Sequence, residues 1–558
     1  MKAFPIAALL AVACGHAPAS PSKSGGRSPD AGPPPGDPQK TATELSDEAH
    51  ALFRAEGDLL WKRWTTGSGP MPASALAEHP QLAQRDSLDL VTAAGAKATG
   101  ADAQASRLLR QQIATLAVAR EAGAEIDALE RARAQLVFAA PGDARPEHGE
   151  RDLDRMLADE SSAQKRAAIA QAESQAAQPL PPLVLARDAA IARAIASLRL
   201  GSWSEMEERT YGMPIAELAA LAQKTLDATE EIAAAAVAEA SVRNLGVTLD
   251  RLRRADLPRL SRSALADPQF PPGHAWPAMR DVLQLLGLEI PAALQVDAEP
   301  SPSKGGRPLA LLVDPPRDVR LSLRPAGGFD EQRATFHEGA RALGGSLTQA
   351  PRWELAQLGD GSAAEGVAQL FEELAGDPAW LREATQLRGE PLDDLVHTQA
   401  ARRLLETRRA AAMVLFETRR RDQPAEAQAK LYRGLLQRAT FATMTDDDAA
   451  RWALEADTWM RAATPLLGAI LGAQIEKPAW WKSRETGALL RKVWAGGRSL
   501  TAQQAARSLG IAALDPSALA AVAAAQLAYK APEAPPPAPK PDYKYMQGDK
   551  KRRRHRKR

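Results

Sequence analysis

From Thr41 to Tyr529 almost every window of this chain is rich in Ala, Leu, Arg, Glu and Gln, with aromatic residues at 4% and few β-branched runs. A sequence of that kind has one inexpensive regular structure, the α-helix. Apolar residues recur at helical spacing over roughly 43–64, 103–137, 151–174, 184–199, 215–243, 330–346, 363–375, 392–418, 425–439, 446–475, 484–495 and 516–529. Thr41 and Glu44 stand at capping-box spacing ahead of Leu45, Ala49, Leu52 and Phe53, which places the start of the folded body near Thr41. One segment departs from the pattern. Asp318-Val319-Arg320-Leu321-Ser322-Leu323 alternates polar and apolar after Pro315-Pro316, as a half-buried strand does. The expected fold is therefore all-α, mainly helical, with a very small β-sheet. With 558 residues, 45% of them hydrophobic, the chain is long enough to bury a large core, and no fixed-period repeat is visible.

The two ends read differently. Met1-Lys2 and the apolar stretch Ala3 to Ala13 form an export signal, too short to span a bilayer as a helix. The single cysteine follows in Ala11-Val12-Ala13-Cys14-Gly15, which resembles the bacterial lipobox. That resemblance implies diacylation of Cys14 and a lipid anchor in the bacterial cell envelope; an ordinary cleaved signal with a chance cysteine is the alternative. One cysteine also excludes an intrachain disulfide and any cysteine-based zinc cluster. Residues 15–40 are Pro/Gly/Ser-rich and read as a disordered tether, 41–529 as the helical body, and 530–558 as a Pro-rich spacer with a basic tail. Lys550 to Arg558 holds eight Lys and Arg residues, and taking them from the net +2 leaves −6 on the rest. By bulk charge the body is not a nucleic-acid binder. The tail is expected either to bind an anionic surface, such as envelope polymers, phospholipid headgroups or nucleic acid, or simply to be solvated.

The most informative stretch is Phe336-His337-Glu338-Gly339-Ala340-Arg341-Ala342-Leu343. In an HExxH helix two histidines at i and i+4 share a face and bind zinc, and the glutamate after the first activates water. Here His337 and Glu338 are present, but Arg341 occupies the second histidine's place. Glu365 follows 28 residues after His337, in Ala364-Glu365-Gly366-Val367-Ala368-Gln369-Leu370-Phe371-Glu372. Together these segments resemble the oligopeptidase branch of the glutamate-zincins: oligoendopeptidase F, thimet oligopeptidase and the related angiotensin-converting enzyme. The segment from Trp480-Trp481 to Leu509 also resembles the closing helices of that group.

The resemblance implies two helical halves around a deep peptidase-like groove that accommodates a peptide, and a short sheet whose edge strand pairs with substrate backbone. Val319, Arg320, Leu321, Ser322 and Leu323 stand where that strand is expected. It further implies that His337 and Glu365 are vestigial metal ligands and Glu338 a vestigial general base. The family's late tyrosine, which stabilises an oxyanion, has no counterpart in Arg461-Ala462-Ala463-Thr464-Pro465-Leu466-Leu467-Gly468, and the chain's five tyrosines lie elsewhere. A guanidinium in place of a zinc ligand repels a second cation, so no cofactor is expected. Arg341 is expected to pair with Glu365 and replace the metal, with Gln369 reaching His337 from behind.

The reading is thus an inactive peptidase-like protein that binds peptide or acts as a scaffold. The first alternative is an active zinc peptidase whose third ligand is unusual, Glu338 or Glu372. A second alternative makes the basic tail the functional part. No G-x-S-x-G, P-loop or G-x-G-x-x-G offers another chemistry. Glu205, Glu207 and Glu208 read as a solvated acidic turn, and Asp446-Asp447-Asp448 as a helix start.

Overall fold

A computed structural model of the protein describes residues 38–140 and 148–532. Cys14, the export signal, most of the tether and the Lys550–Arg558 tail lie outside the described residues. Among the described residues are 24 α-helices and two small sheets, so the chain is mainly helical with very little β-structure. None of these helices is long and apolar enough to cross a membrane.

The long periodic segments appear as helices, with breaks where local chemistry offers the backbone an alternative. The 215–243 segment divides into Ile215–Ala228 and Glu230–Leu245. At the break the Thr229 hydroxyl donates to the Thr225 carbonyl at 2.6 Å, and the Arg408 guanidinium donates to the Leu226 carbonyl and the Thr229 hydroxyl, so the orphan groups of the helix end are satisfied. The 446–475 segment divides in three: Asp446–Ala450, Trp452–Glu455 and Ala463–Ile475. Asp448 closes a capping box with Thr445. Trp203–Tyr211 is a helix whose Trp203, Glu207 and Tyr211 recur every fourth residue and face inward. The expectation of a solvated acidic turn therefore fails at Glu207, which is buried.

Helix α1 (Pro38–Thr66) lies against a three-stranded sheet, β1 (Leu294–Asp297), β2 (Leu309–Asp314) and β3 (Asp318–Ser322), in the order β1-β3-β2. Strand β3 runs parallel to β1, Leu294 opposite Val319, and antiparallel to β2, Ala310 opposite Leu321. The 318–323 segment is thus the centre of the sheet, and both of its backbone edges are paired. This corrects the expectation that it is the substrate-pairing edge. The edge beside the HE motif is β2, whose run of apolar residues is buried throughout; a strand covered on both faces shows no alternation, so periodicity does not reveal it.

Helix α2 (Phe329–Ser346), which carries His337, packs on the sheet so closely that a Cβ at Gly345 would stand 2.7 Å from Leu312. Helix α3 (Ser362–Leu374) lies between α2 and α5 (Ala463–Ile475), and the 31-residue α4 (Glu390–Arg420) runs alongside. The largest apolar cluster joins these elements through Phe336, Leu343, Val367, Phe371, Val414 and Ile470.

Helix α1 carries an unusual group. Glu56 is buried with neither carboxylate oxygen hydrogen-bonded to any described residue, and burial pushes its pKa from 4.5 up to about 8. The folded chain therefore holds a proton that the unfolded chain releases near 4.5. The contribution of Glu56 to stability is full below that pH and is lost as the pH rises toward 8. Glu56→Gln is expected to raise the unfolding midpoint at pH 8 and leave it nearly unchanged at pH 4.5, as read by thermal melts at the two pH values.

Candidate functional site

Arg333, His337 and Arg341 recur every fourth residue on α2, and Glu365, Gln369 and Glu372 recur at i, i+4 and i+7 on α3. Each set forms one stripe of its helix, and the two stripes face each other. His337 donates from Nδ1 to Glu372 Oε2 at 2.8 Å, and its Nε2 lies 3.7 Å from Glu365 Oε2. Arg333, buried one turn before His337, donates to the other oxygen of Glu372. Burial works against the charged ring of His337, but Glu365, the Glu372 hydrogen bond and Glu338 outweigh it and raise the pKa to about 9. Burial also opposes ionisation of Glu372, and Arg333 with His337 outweigh it and hold that carboxyl low. Arg333 also lies 3.7 Å from Glu406 on α4, and Arg402 reaches Glu373 and Glu406, so the charge network ties α2, α3 and α4 together.

Glu338 projects to the other side of the stripe. Its Oε2 accepts the Ala310 backbone N–H of β2 at 2.8 Å, and Arg341 Nη1 donates to both of its oxygens at 3.1 and 3.0 Å. A second outward backbone group of the β2 edge, the Leu312 carbonyl, accepts from Gln357 Nε2 at 3.0 Å. Helix α1 closes over the same strand through His50 with Asp314 at 3.0 Å, and Arg320 of β3 reaches Asp58 at 2.7 Å.

Two expected contacts are therefore different. Arg341 pairs with Glu338 rather than Glu365, because Glu338 is one turn back on the same helix and is reached without bridging to α3. Glu365 acts on Arg341 only through the field that, against the cost of burial and together with Glu338, raises the guanidinium's pKa. Gln369 does not reach His337, whose Nδ1 is taken by Glu372; its Nε2 donates instead to Glu365 Oε1 and the Pro465 carbonyl, both at 3.1 Å. Near the segment that lacks the late tyrosine, the Tyr211 hydroxyl spends its proton on the Met460 carbonyl at 2.9 Å.

Two residues of this neighbourhood carried no sequence signal used above. Arg333 was detectable, since it stands at i−4 from His337. Arg498 was not, being far away in sequence. Its guanidinium lies on Gly361 at the start of α3, where a Cβ would come within 3.1 Å of it.

The side chains of His337, Glu338, Arg341, Glu365 and Glu372 keep 11–13% of their exposure, so the cluster meets solvent. Its donor set does not match catalytic zinc, which takes three protein ligands and a water. His337 Nε2 and Glu365 Oε2 converge, but Glu338 is engaged by a backbone N–H and a guanidinium, Glu372 is held by Arg333, and Arg341 supplies a cation where a third ligand is required. No cluster of three or more His, Cys, Asp or Glu side chains among the described residues is arranged to hold a metal ion. No protein-family model matches the chain, and no curated protein matches it.

Proposed function

We propose that this chain is a non-hydrolytic protein of oligopeptidase type, exported and lipid-anchored through Cys14, that works by binding or scaffolding. The observation that carries the reading is Glu338. The carboxylate that would activate water in an HExxH peptidase accepts the Ala310 N–H and the Arg341 guanidinium instead. A general base must be free to take a proton from water within hydrogen-bond reach, and both oxygens of Glu338 already accept from Arg341, one of them from the Ala310 N–H as well. Recognition by strand addition is disfavoured as well, since β2 is buried and two of its groups, the Ala310 N–H and the Leu312 carbonyl, are taken by Glu338 and Gln357. Binding at this site falls to side chains.

The test is peptide hydrolysis by the full chain with zinc supplied. The expected result is no turnover above that of the Glu338→Gln variant. Turnover abolished by Glu338→Gln contradicts the reading and returns the active zinc peptidase with an unusual third ligand.

A further inference from the structure

The Arg498 guanidinium makes no hydrogen bond and no close ion pair with any described residue, although it is half-buried. The acids near it are already engaged. Asp360 is buried and accepts from the Ser362 N–H and hydroxyl at 3.0 and 2.8 Å. Glu365 accepts from Gln369 and faces His337. Burial and the neighbouring Arg341 both lower the Arg498 pKa, against the pull of Asp360 and Glu365. Two guanidiniums therefore repel each other across one small region. Arg341 spends only Nη1 on Glu338, which leaves Nη2 and Nε without an acceptor among the described residues. Arg333 has its own acids in Glu372 and Glu406, so the cations left with unused donors are Arg341 and Arg498. The peptide dipoles of α3, whose N-terminal end lies beneath Arg498, add to the positive potential.

We propose that Arg498 and the free arm of Arg341 form a binding site for a carboxylate-type oxyanion, presented by a peptide C-terminus or supplied as a small free anion. A planar or tetrahedral oxyanion accepts from two guanidiniums at once, and such charge-assisted pairs are the strong and geometrically selective ones. The site uses donors that nothing else among the described residues claims. It depends on the non-hydrolytic reading in one respect: Arg341 must stay where a metal ligand would otherwise stand.

The test is calorimetric titration of the full chain with triglycine, triglycine amide, acetate and inorganic phosphate, with zinc content measured on the same samples. Triglycine is expected to bind, its amide not to, and Arg498→Gln to weaken binding about tenfold or more without lowering the unfolding midpoint, because no partner is lost. Arg498→Lys should recover part of the loss. Acetate or phosphate binding as tightly as triglycine assigns the site to free oxyanions; triglycine binding well above both assigns it to peptide termini. The proposal is overturned if none of the four binds, if amide and acid bind alike, or if binding is unchanged in Arg498→Gln. Absence of binding with no zinc defeats this inference alone, whereas stoichiometric zinc defeats the reading beneath it.

Discussion

Replacing Arg408 by methionine is expected to destabilise the protein by about 3–5 kcal/mol, the largest single effect the structure implies. The Arg408 side chain is fully buried in α4. It donates to the Leu226 carbonyl at 2.7 Å, the Thr229 hydroxyl at 2.9 Å, the Arg438 carbonyl at 2.8 Å, the Ala439 carbonyl at 2.9 Å and Glu230 at 2.7 Å. Four of those acceptors belong to the C-terminal ends of two helices, Ile215–Ala228 and Ala425–Thr440. The guanidinium therefore satisfies groups that no backbone donor can reach and places a cation at the negative ends of two helix dipoles. Methionine fills the volume but leaves those carbonyls buried and unpaired, and each such loss is costly. Denaturant midpoints check this, with Arg419→Met on the exposed face of the same helix as the reference, expected within about 0.5 kcal/mol of the parent. A small shift for Arg408→Met would mean that the helix ends find other partners.

Gly468→Val is expected to cost about 2–3 kcal/mol or more and to disturb the charged site as well. Helices α3 and α5 touch through Gly366, Gly468 and Gly472. A Cβ at Gly468 would stand 3.0 Å from both Glu365 Cγ and the Gly366 nitrogen, and one at Gly472 would stand 2.9 Å from the Gly366 carbonyl. The nearest atoms are mostly backbone, so the helices must separate rather than a side chain turn aside, and α3 carries Glu365 away from His337 as it moves. Gly434 is the counter-example: it lies in a helix with nothing within 4 Å of its would-be Cβ. Gly434→Ala should raise stability by roughly 0.5–1 kcal/mol on helix propensity alone. Thermal melts of the two variants distinguish the contact from propensity. If Gly468→Val melted like the parent, helix separation would not be required.

Helix content was legible because apolar spacing at 3.6 residues survives in a sequence rich in helix formers. The site was legible as far as two helical stripes: residues 333, 337 and 341 on one helix and 365, 369 and 372 on the next share faces by spacing alone. Which acid each base chooses was not legible, since it depends on how far α2 and α3 stand apart. Arg341 takes the acid on its own helix, and His337 takes Glu372 two turns beyond Glu365. The substrate-type strand was misplaced for a related reason. Alternation marks a strand with one wet face, and β3 shows it, whereas the edge strand β2 is dry on both faces and reads as a plain apolar run. Arg498 enters only through tertiary approach to Gly361, for which a single sequence holds no local signal.

The proposal that Arg341, bound to Glu338, denies His337 and Glu365 a third zinc ligand is tested most directly by zinc stoichiometry. The full chain, equilibrated with zinc and freed of excess, is expected to retain far less than one ion per chain, while Arg341→His, which restores an imidazole one turn from His337 and releases Glu338, is expected to retain zinc. One tightly held zinc per parent chain would contradict the account.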